Sequence, residues 1–261
     1  HLDFFKQELA KVEQELADNI DVRFSLQSPQ TDTIALDQQS DGPFREADGN
    51  LLFRPAGHGA LLKNLEECVG DLVLIRNIDN VVPKRLQEPY QFWTEVIGGL
   101  LLQVQQQVFD WIDKLESSPS PENCAAAADF IDKTFGRVAV DTDSNELISL
   151  LDRPIRIGGM VPVSGQPGGG PFWTGDALGQ LTPQIIEGVQ IDPDDAAQQQ
   201  ILAASTHFNP VNIACSLRDR HGKPYRLDDF VDENAALITA KSAAGRDLLA
   251  LERPGLWNGA M

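Results

Sequence analysis

Apolar positions along the chain follow two rhythms, one of three and four residues and one of two, and the changes between them mark the elements. Leu2, Phe5, Leu9, Val12, Leu16 and Ile20 recur at three- and four-residue spacing, which predicts an amphipathic helix over residues 2 to 20. VRFSLQ at 22 to 27 alternates and predicts a strand, and SPQTDTIALDQQSDGPFREADG at 28 to 49 is polar with turn signals, a loop with a short hairpin. FRPAGHGALLKNL at 53 to 65 crowds Gly57, His58 and Gly59 into one turn and then resumes helical spacing to Glu67. LVLIRNIDN at 72 to 80 is a strand-like run that ends in Asn77, Asp79 and Asn80. Phe92, Val96, Leu100, Val104, Val108 and Ile112 predict a long helix over 88 to 116, with Gly98-Gly99 as a kink or close-packing site and Trp93 and Trp111 as core residues. PSPENCAAAADFIDKTF predicts a second helix, so 88 to 135 is expected to be a helical insertion.

From residue 153 the pattern turns to strands: RPIRIGGMV and PQIIEGVQI around a Gly-Pro-rich loop, then VNIACSL at 211 to 217. DPDDAAQQQILAAS between them predicts a helix with its carboxylates at the dipole-favoured end. Strands and helices keep alternating with no repeat and no low-complexity linker, so one α/β domain over 1 to 261 is expected. The chain starts on His1 and stops on PGLWNGAM, from which we expect a piece excised from a longer protein.

Composition changes this picture in one direction. Of 261 residues 42% are hydrophobic, enough for a sizeable core, while a formal charge of −18 repels nucleic acid and anionic membrane. Any phosphate ligand must therefore be held locally, by a few cations, by backbone amides at a helix start, or through a divalent ion. Cys68, Cys124 and Cys215 stand at unrelated spacings, which implies neither a disulfide framework nor a zinc cluster, and a cytoplasmic setting is expected. No apolar run approaches the roughly 18 residues of a membrane span.

The chemistry concentrates at the glycine turn and the strand after it. Gly57 and Gly59 offer bare backbone against which a flat ligand can lie, and His58 between them can donate a hydrogen bond; a tight turn that merely redirects the chain is the alternative. In open α/β sheets the carboxyl ends of strands form the ligand crevice. A carboxylate at such an end, Asp79 with amides beside it, suits Mg2+, which takes one or two carboxylates together with phosphate oxygens; a turn-capping role for Asp79 is the other reading. SGQPGGGPFW, with Gly168, Gly169 and Gly170 before Phe172 and Trp173, reads as a lid, a wrap around something flat, or an ordinary solvent loop. His207, with no second His or Cys at metal spacing, reads as a packed or hydrogen-bonded histidine.

PAGHGALLKNL followed by LVLIRNIDN resembles the nucleotide-binding half of the UDP-sugar pyrophosphorylases, the uridylyltransferases that act on glucose 1-phosphate and N-acetylglucosamine 1-phosphate. PQIIEGVQI at 183 to 191 is similar to their Pro-Gln-Val-Val-Glu segment, and FNPVNI at 208 to 213 to their Phe-Asn-x-x-Asn-Ile segment. The whole chain, including RPIRIGGMV and GQPGGGPFW, also looks like an uncharacterised bacterial domain family of unknown function, a distant branch of the same group. The resemblance implies a GT-A, nucleotide-diphospho-sugar transferase-like (Rossmann-like) three-layer core with inserted helices. It also implies transfer of a nucleotidyl group from a nucleoside triphosphate to a sugar phosphate. On that reading Gly57, His58 and Gly59, with Asn77 and Asn80, face the nucleotide, Asp79 holds Mg2+, and Glu187, Asn209 and Asn212 line the sugar, beside Gly169 and Gly170. The family's first strand, its Gly-rich phosphate loop and its late Val-Lys-Thr segment have no counterpart here, so the chain alone is expected to be a poor enzyme.

Attack of a sugar phosphate on the α-phosphorus needs charge neutralisation and in-line positioning more than proton transfer. Among Arg76, Lys84, Arg85, Arg156 and Lys241, the candidates for catalytic cations are Arg156 in RPIRIGG and Lys241 in ITAKSAAGR, with a solvated surface charge as the alternative reading of each. Two further classes stay open: a nucleotide-sugar-binding or regulatory module without catalysis, and a glycosyltransferase of the same fold.

Overall fold

The computed structural model describes residues 2–15, 21–40, 42–78, 80–137, 143–163, 169–175 and 181–255. In chain order the elements are α1 (Leu2–Glu15), the short strands β1 (Thr33–Ile34), β2 (Leu36–Asp37) and β3 (Phe53–Arg54), and a 3-10 turn, Gly57–Leu61, running into α2 (Leu62–Glu66). Then come β4 (Val73–Arg76), α3 (Gln87–Ser117), α4 (Pro121–Phe135) and α5 (Ser144–Leu151). The second half holds β5 (Ile155–Gly158), β6 (Val161–Pro162), β7 (Gly170–Gly175), β8 (Leu181–Ile186), α6 (Ala196–Ala203), β9 (His207–Phe208), β10 (Asn212–Ser216), β11 (Leu237–Ala243) and β12 (Arg246–Glu252). The architecture is mixed α/β, with small sheets whose described strand pairings are all antiparallel. No helix among the described residues is long and apolar enough to cross a membrane.

Local chemistry accounts for the helix ends. Ser120 accepts from the Asn123 amide at 3.3 Å with Pro121 behind it, and Gly136 ends α4 at φ 62°. Asp143 caps α5 and Asp195 caps α6, the latter accepting from the amides of Ala197 and Gln198. Residues 22–27, expected as a strand, have no regular structure. Six alternating residues with no partner strand gain too little to order as β.

The sheet that positions the site is β4–β10–β5. Its register sets Cys215 opposite both Val73 and Arg156, and Ile213 opposite both Ile75 and Gly158. With side chains alternating across the pleat, Val73, Ile75, Arg156, Gly158, Ile213 and Cys215 share one face, while Leu74, Arg76, Ile155, Ile157, Asn212, Ala214 and Ser216 share the other. The second face lies under α3, in a core that joins Ile155 and Ala214 to Leu101, Val104, Val108, Ile112 and Leu115, closed by α4 and α5.

This stripe of α3 differs from the expected one. Thr94, Gly98, Leu101 and Val104 are buried, whereas Phe92, Val96 and Leu100 are exposed and Trp93 is 61% exposed. The expected spacing holds only from Val104 onward. Gly98 lies on the buried stripe, where a Cβ would meet only Leu72, at 3.4 Å, the limit of an ordinary contact. Gly99 faces open space. A second small sheet, β11–β12–β2, carries its own core of Ala35, Phe44, Leu248 and Ala250.

Candidate functional site

The glycine turn meets the end of β12. The Arg253 amide donates to the Ala56 carbonyl at 2.8 Å, which brings the C-terminal strand directly across the turn. Gly57 sits at φ 67°, and a Cβ there would be 2.7 Å from Glu252 Oε2; one on Gly59 would be 2.3 Å from the Pro254 carbonyl. Both positions need glycine, as expected, but the close approach that glycine permits is made by the chain's own Glu252–Pro254. That corrects the expectation of a ligand lying on those two faces.

His58 keeps an open position beside this junction. Partial desolvation lowers its pKa, and the opposing pull of the Glu187 and Glu252 carboxylates does not restore it. Glu252 in turn accepts from Thr239 Oγ1 at 2.9 Å and pairs with Lys241 Nζ at 3.3 Å. Lys241, expected as a candidate catalytic cation, is thus paired with Glu252 while its side chain stays partly exposed. The turn, the residue after β8 and the β11–β12 hairpin meet here in one polar cluster.

The amide-rich segments meet a second junction. Asn80 Nδ2 donates to the Pro210 carbonyl, which ties the end of the β4 run to the start of the FNPVNI segment. Asn77 is exposed, and Asp79 lies outside the described residues. Asn209 is 4% exposed; its amide donates to the Gly169 carbonyl at 2.8 Å, its Nδ2 to the Gly159 carbonyl at 2.7 Å, and its Oδ1 accepts from the Val211 amide at 2.9 Å. Val211 is held at φ 55°, a left-handed conformation that costs a β-branched residue on the order of 1–3 kcal/mol. Asn212, 8% exposed, keeps its Oδ1 buried with no hydrogen-bond partner among the described residues.

Gly169 lies against Ile185 and the Glu187 side chain, and Gly170 against Phe172 and the His207 carbonyl, so these two positions are also packed rather than bare. Trp173 rests over Gly136 at the end of α4 instead of closing over a crevice, and Gly168 is outside the described residues. His207 is hydrogen-bonded to Thr206 Oγ1 at 2.8 Å, as expected for a satisfied histidine.

Next to this junction, on the face of the sheet away from α3, lies a cleft of about 150 Å3. Arg156 and Gln184 are its polar lining, among Met160, Pro183, Ile185 and Ile213. Arg156 Nη2 donates to Gln184 Oε1, and Nη1 is buried with no hydrogen-bond partner among the described residues. Burial pushes the Arg156 pKa down to about 10, with Arg153 adding to the effect, yet the guanidinium stays charged at neutral pH. Its neighbour Cys215 offers no counter-charge, because burial pushes that thiol up to about 12. Among the described residues no three His, Cys, Asp or Glu side chains stand close enough to hold a metal ion.

A family model for a domain of unknown function, DUF4301, matches residues 1–261. The chain belongs to the DUF4301 family. No curated protein and no solved structure matches it. The DUF4301 site is therefore read from its own geometry. Gln184 and Glu252 were missed by sequence reasoning: Gln184 sits in PQIIEG beside the more conspicuous Glu187, while Glu252 carries no local signal and joins the site only through the β11–β12 hairpin.

Proposed function

We propose that the DUF4301 chain is a nucleotide-sugar-binding domain of the GT-A, Rossmann-like type and that, in its full-length protein, it transfers a nucleotidyl group, UMP from UTP, to a sugar 1-phosphate. One observation carries this reading: the four segments that resemble the UDP-sugar pyrophosphorylases, far apart in sequence, are contiguous in space. Asn80 bonds Pro210, Asn212 stands opposite Arg76, Asn209 bonds Gly169, Gly169 abuts Glu187, and Glu187 acts electrostatically on His58. Unrelated packing segments have no reason to gather their polar residues at one edge of a sheet.

In this reading Glu187, Asn209 and Asn212 line the sugar, and His58, Asn77 and Asn80 border the nucleotide. Mg2+ would come to Asp79 with the nucleotide's phosphates, supplying charge neutralisation; no other described side chains form a cage for it. The pairing of Lys241 with Glu252 favours a second reading, in which the domain binds a nucleotide-sugar without turnover, because one of the two candidate cations is already paired with a carboxylate.

Calorimetry and pyrophosphate release by the full-length protein, with UTP, magnesium and glucose 1-phosphate, separate these readings. The transferase reading expects binding and turnover, both reduced in Glu187→Gln. Binding of UDP-glucose without turnover selects the regulatory reading. Failure to bind UTP or UDP-glucose overturns both.

A further inference from the structure

Arg156 is placed where a cation alone is costly. Its guanidinium has one nitrogen satisfied by a neutral amide, Gln184, and another, Nη1, buried with no partner among the described residues. An uncompensated buried charge is strongly destabilising, and no described carboxylate reaches this one. The side chain belongs to the face of the sheet away from α3, which is otherwise packed against Leu62, Leu65 and Ile185, and it lines the cleft rather than the helix core. The remaining walls are Gly, Met, Pro and Ile, which supply neither charge nor donors for a second negative charge.

We propose that this cleft is a subsite for one singly charged oxyanion, with Arg156 Nη1 as its donor and cation. Charge balance in an apolar cleft sets the valence: one guanidinium neutralises one negative charge, and a phosphomonoester dianion would leave the second in a low-dielectric wall. Two groups share the required chemistry, the carboxylate of an acidic sugar and one of the two singly charged phosphoryl groups of a nucleoside diphosphate sugar, whose other phosphoryl group would stay outside the cleft. A volume of about 150 Å3 admits a charged group with part of the ring or chain that carries it, not a whole nucleotide. In naming the sugar-side chemistry this assignment rests on the proposed nucleotide-sugar reading, but its test does not depend on nucleotidyl transfer.

The full-length protein is titrated with glucose, glucuronate, glucose 1-phosphate and UDP-glucose at matched ionic strength. A charge-assisted hydrogen bond is worth about 1.5–3 kcal/mol, so glucuronate or UDP-glucose should bind about tenfold or more tighter than glucose. That preference should collapse in Arg156→Met. Preference for glucuronate identifies the carboxylate source, and preference for UDP-glucose alone the phosphoryl source. Glucose 1-phosphate binding tightest, all four binding equally, or an anion preference that survives Arg156→Met overturns the assignment. If Arg156→Met does not fold, a structure of the wild type soaked with glucuronate and with UDP-glucose decides: a ligand oxygen at Nη1 supports the subsite, and a ligand bound elsewhere overturns it. A protein that prefers glucuronate through Arg156 but releases no pyrophosphate loses the transferase reading and keeps the subsite; turnover without Arg156 dependence does the reverse.

Discussion

The two faces of the β4–β10–β5 sheet are built from the same strands and differ at one buried charge. Toward α3 the side chains of Ile155, Ile157 and Ala214 enter an apolar core in which Leu101, Ile112 and Leu147 are almost wholly buried. Toward the cleft, the alternate residues put a guanidinium, a glycine and a thiol among apolar neighbours, and beside them Val211 is held in a left-handed conformation by Asn209. The first face is apolar over most of its area, with Asn212 Oδ1 unpaired at its end, while the second packs Ile213 and Cys215 against Leu62, Leu65 and Ile185 and leaves Arg156 Nη1 unpaired beside the cleft. Both faces hold the domain together, and they differ at Arg156: protein interiors rarely leave a charged group unpaired, and this one has no partner for Nη1 among the described residues.

The largest expected effect tests the helix face. Leu101→Ala removes a side chain with 0% exposure from the α3 contact and should cost about 2–5 kcal/mol, read as a lower denaturation midpoint. A loss under 1 kcal/mol would mean that α3 is not the main cover of the sheet.

Next is the turn at the edge of the cleft face. Gly59→Val drives a side chain into the Pro254 carbonyl and should destabilise by about 1–3 kcal/mol. Gly99→Ala on the helix side, with nothing within 4 Å, should stabilise by roughly 0.5–1 kcal/mol through helix propensity. Thermal melts of the pair separate a packed glycine from an idle one, and equal effects would contradict the close approach of Glu252–Pro254.

Arg156→Met sharpens the contrast from the cleft side. In the absence of ligand it should leave the thermal midpoint unchanged or raise it, because it relieves an unpaired buried charge, whereas Ile155→Ala, one residue away on the helix face, should lower it. A clear loss of stability in Arg156→Met would mean that a partner already neutralises the guanidinium.

The smallest effect is a pH dependence at His58. Its folded pKa lies below the ordinary 6.5, so as pH falls through that value the unfolded chain takes up the proton first. Stability contributed by neutral His58 is present above pH 6.5 and is lost on acidification toward the folded pKa. A His58→Gln variant should show a shallower decline over that window, and an identical decline would remove His58 from the titration.

Much of the fold was legible because it is encoded locally. The helical pair expected at 88 to 135 is α3 and α4, the strands at 155 and 212 fall within the expected runs, and β8 overlaps the run expected at 183 to 191 only over residues 183 to 186. Capping and periodicity act within a turn or two of chain, so the residues that specify them are neighbours in sequence. The exposed residues of α3 show the limit: Phe92, Val96 and Leu100 have helical spacing, but which of two adjacent stripes is buried was decided by the packing of α3 on the sheet, α4 and α5.

The sequence pattern by itself set apart Gly57, Gly59, Asn80 and Arg156, and only the resemblance to the UDP-sugar pyrophosphorylases set apart Glu187 and Asn209. What each one touches was decided only by tertiary structure. Gly59 is glycine because residue 254 crosses it, Lys241 is paired with a carboxylate on the neighbouring strand, and Arg156 faces the cleft because its register opposite Cys215 turns it from α3. The physical reason is common to all three: a side chain's charge, freedom or exposure is set by groups that chain closure brings from far away, and a linear pattern carries no record of which distant group arrives.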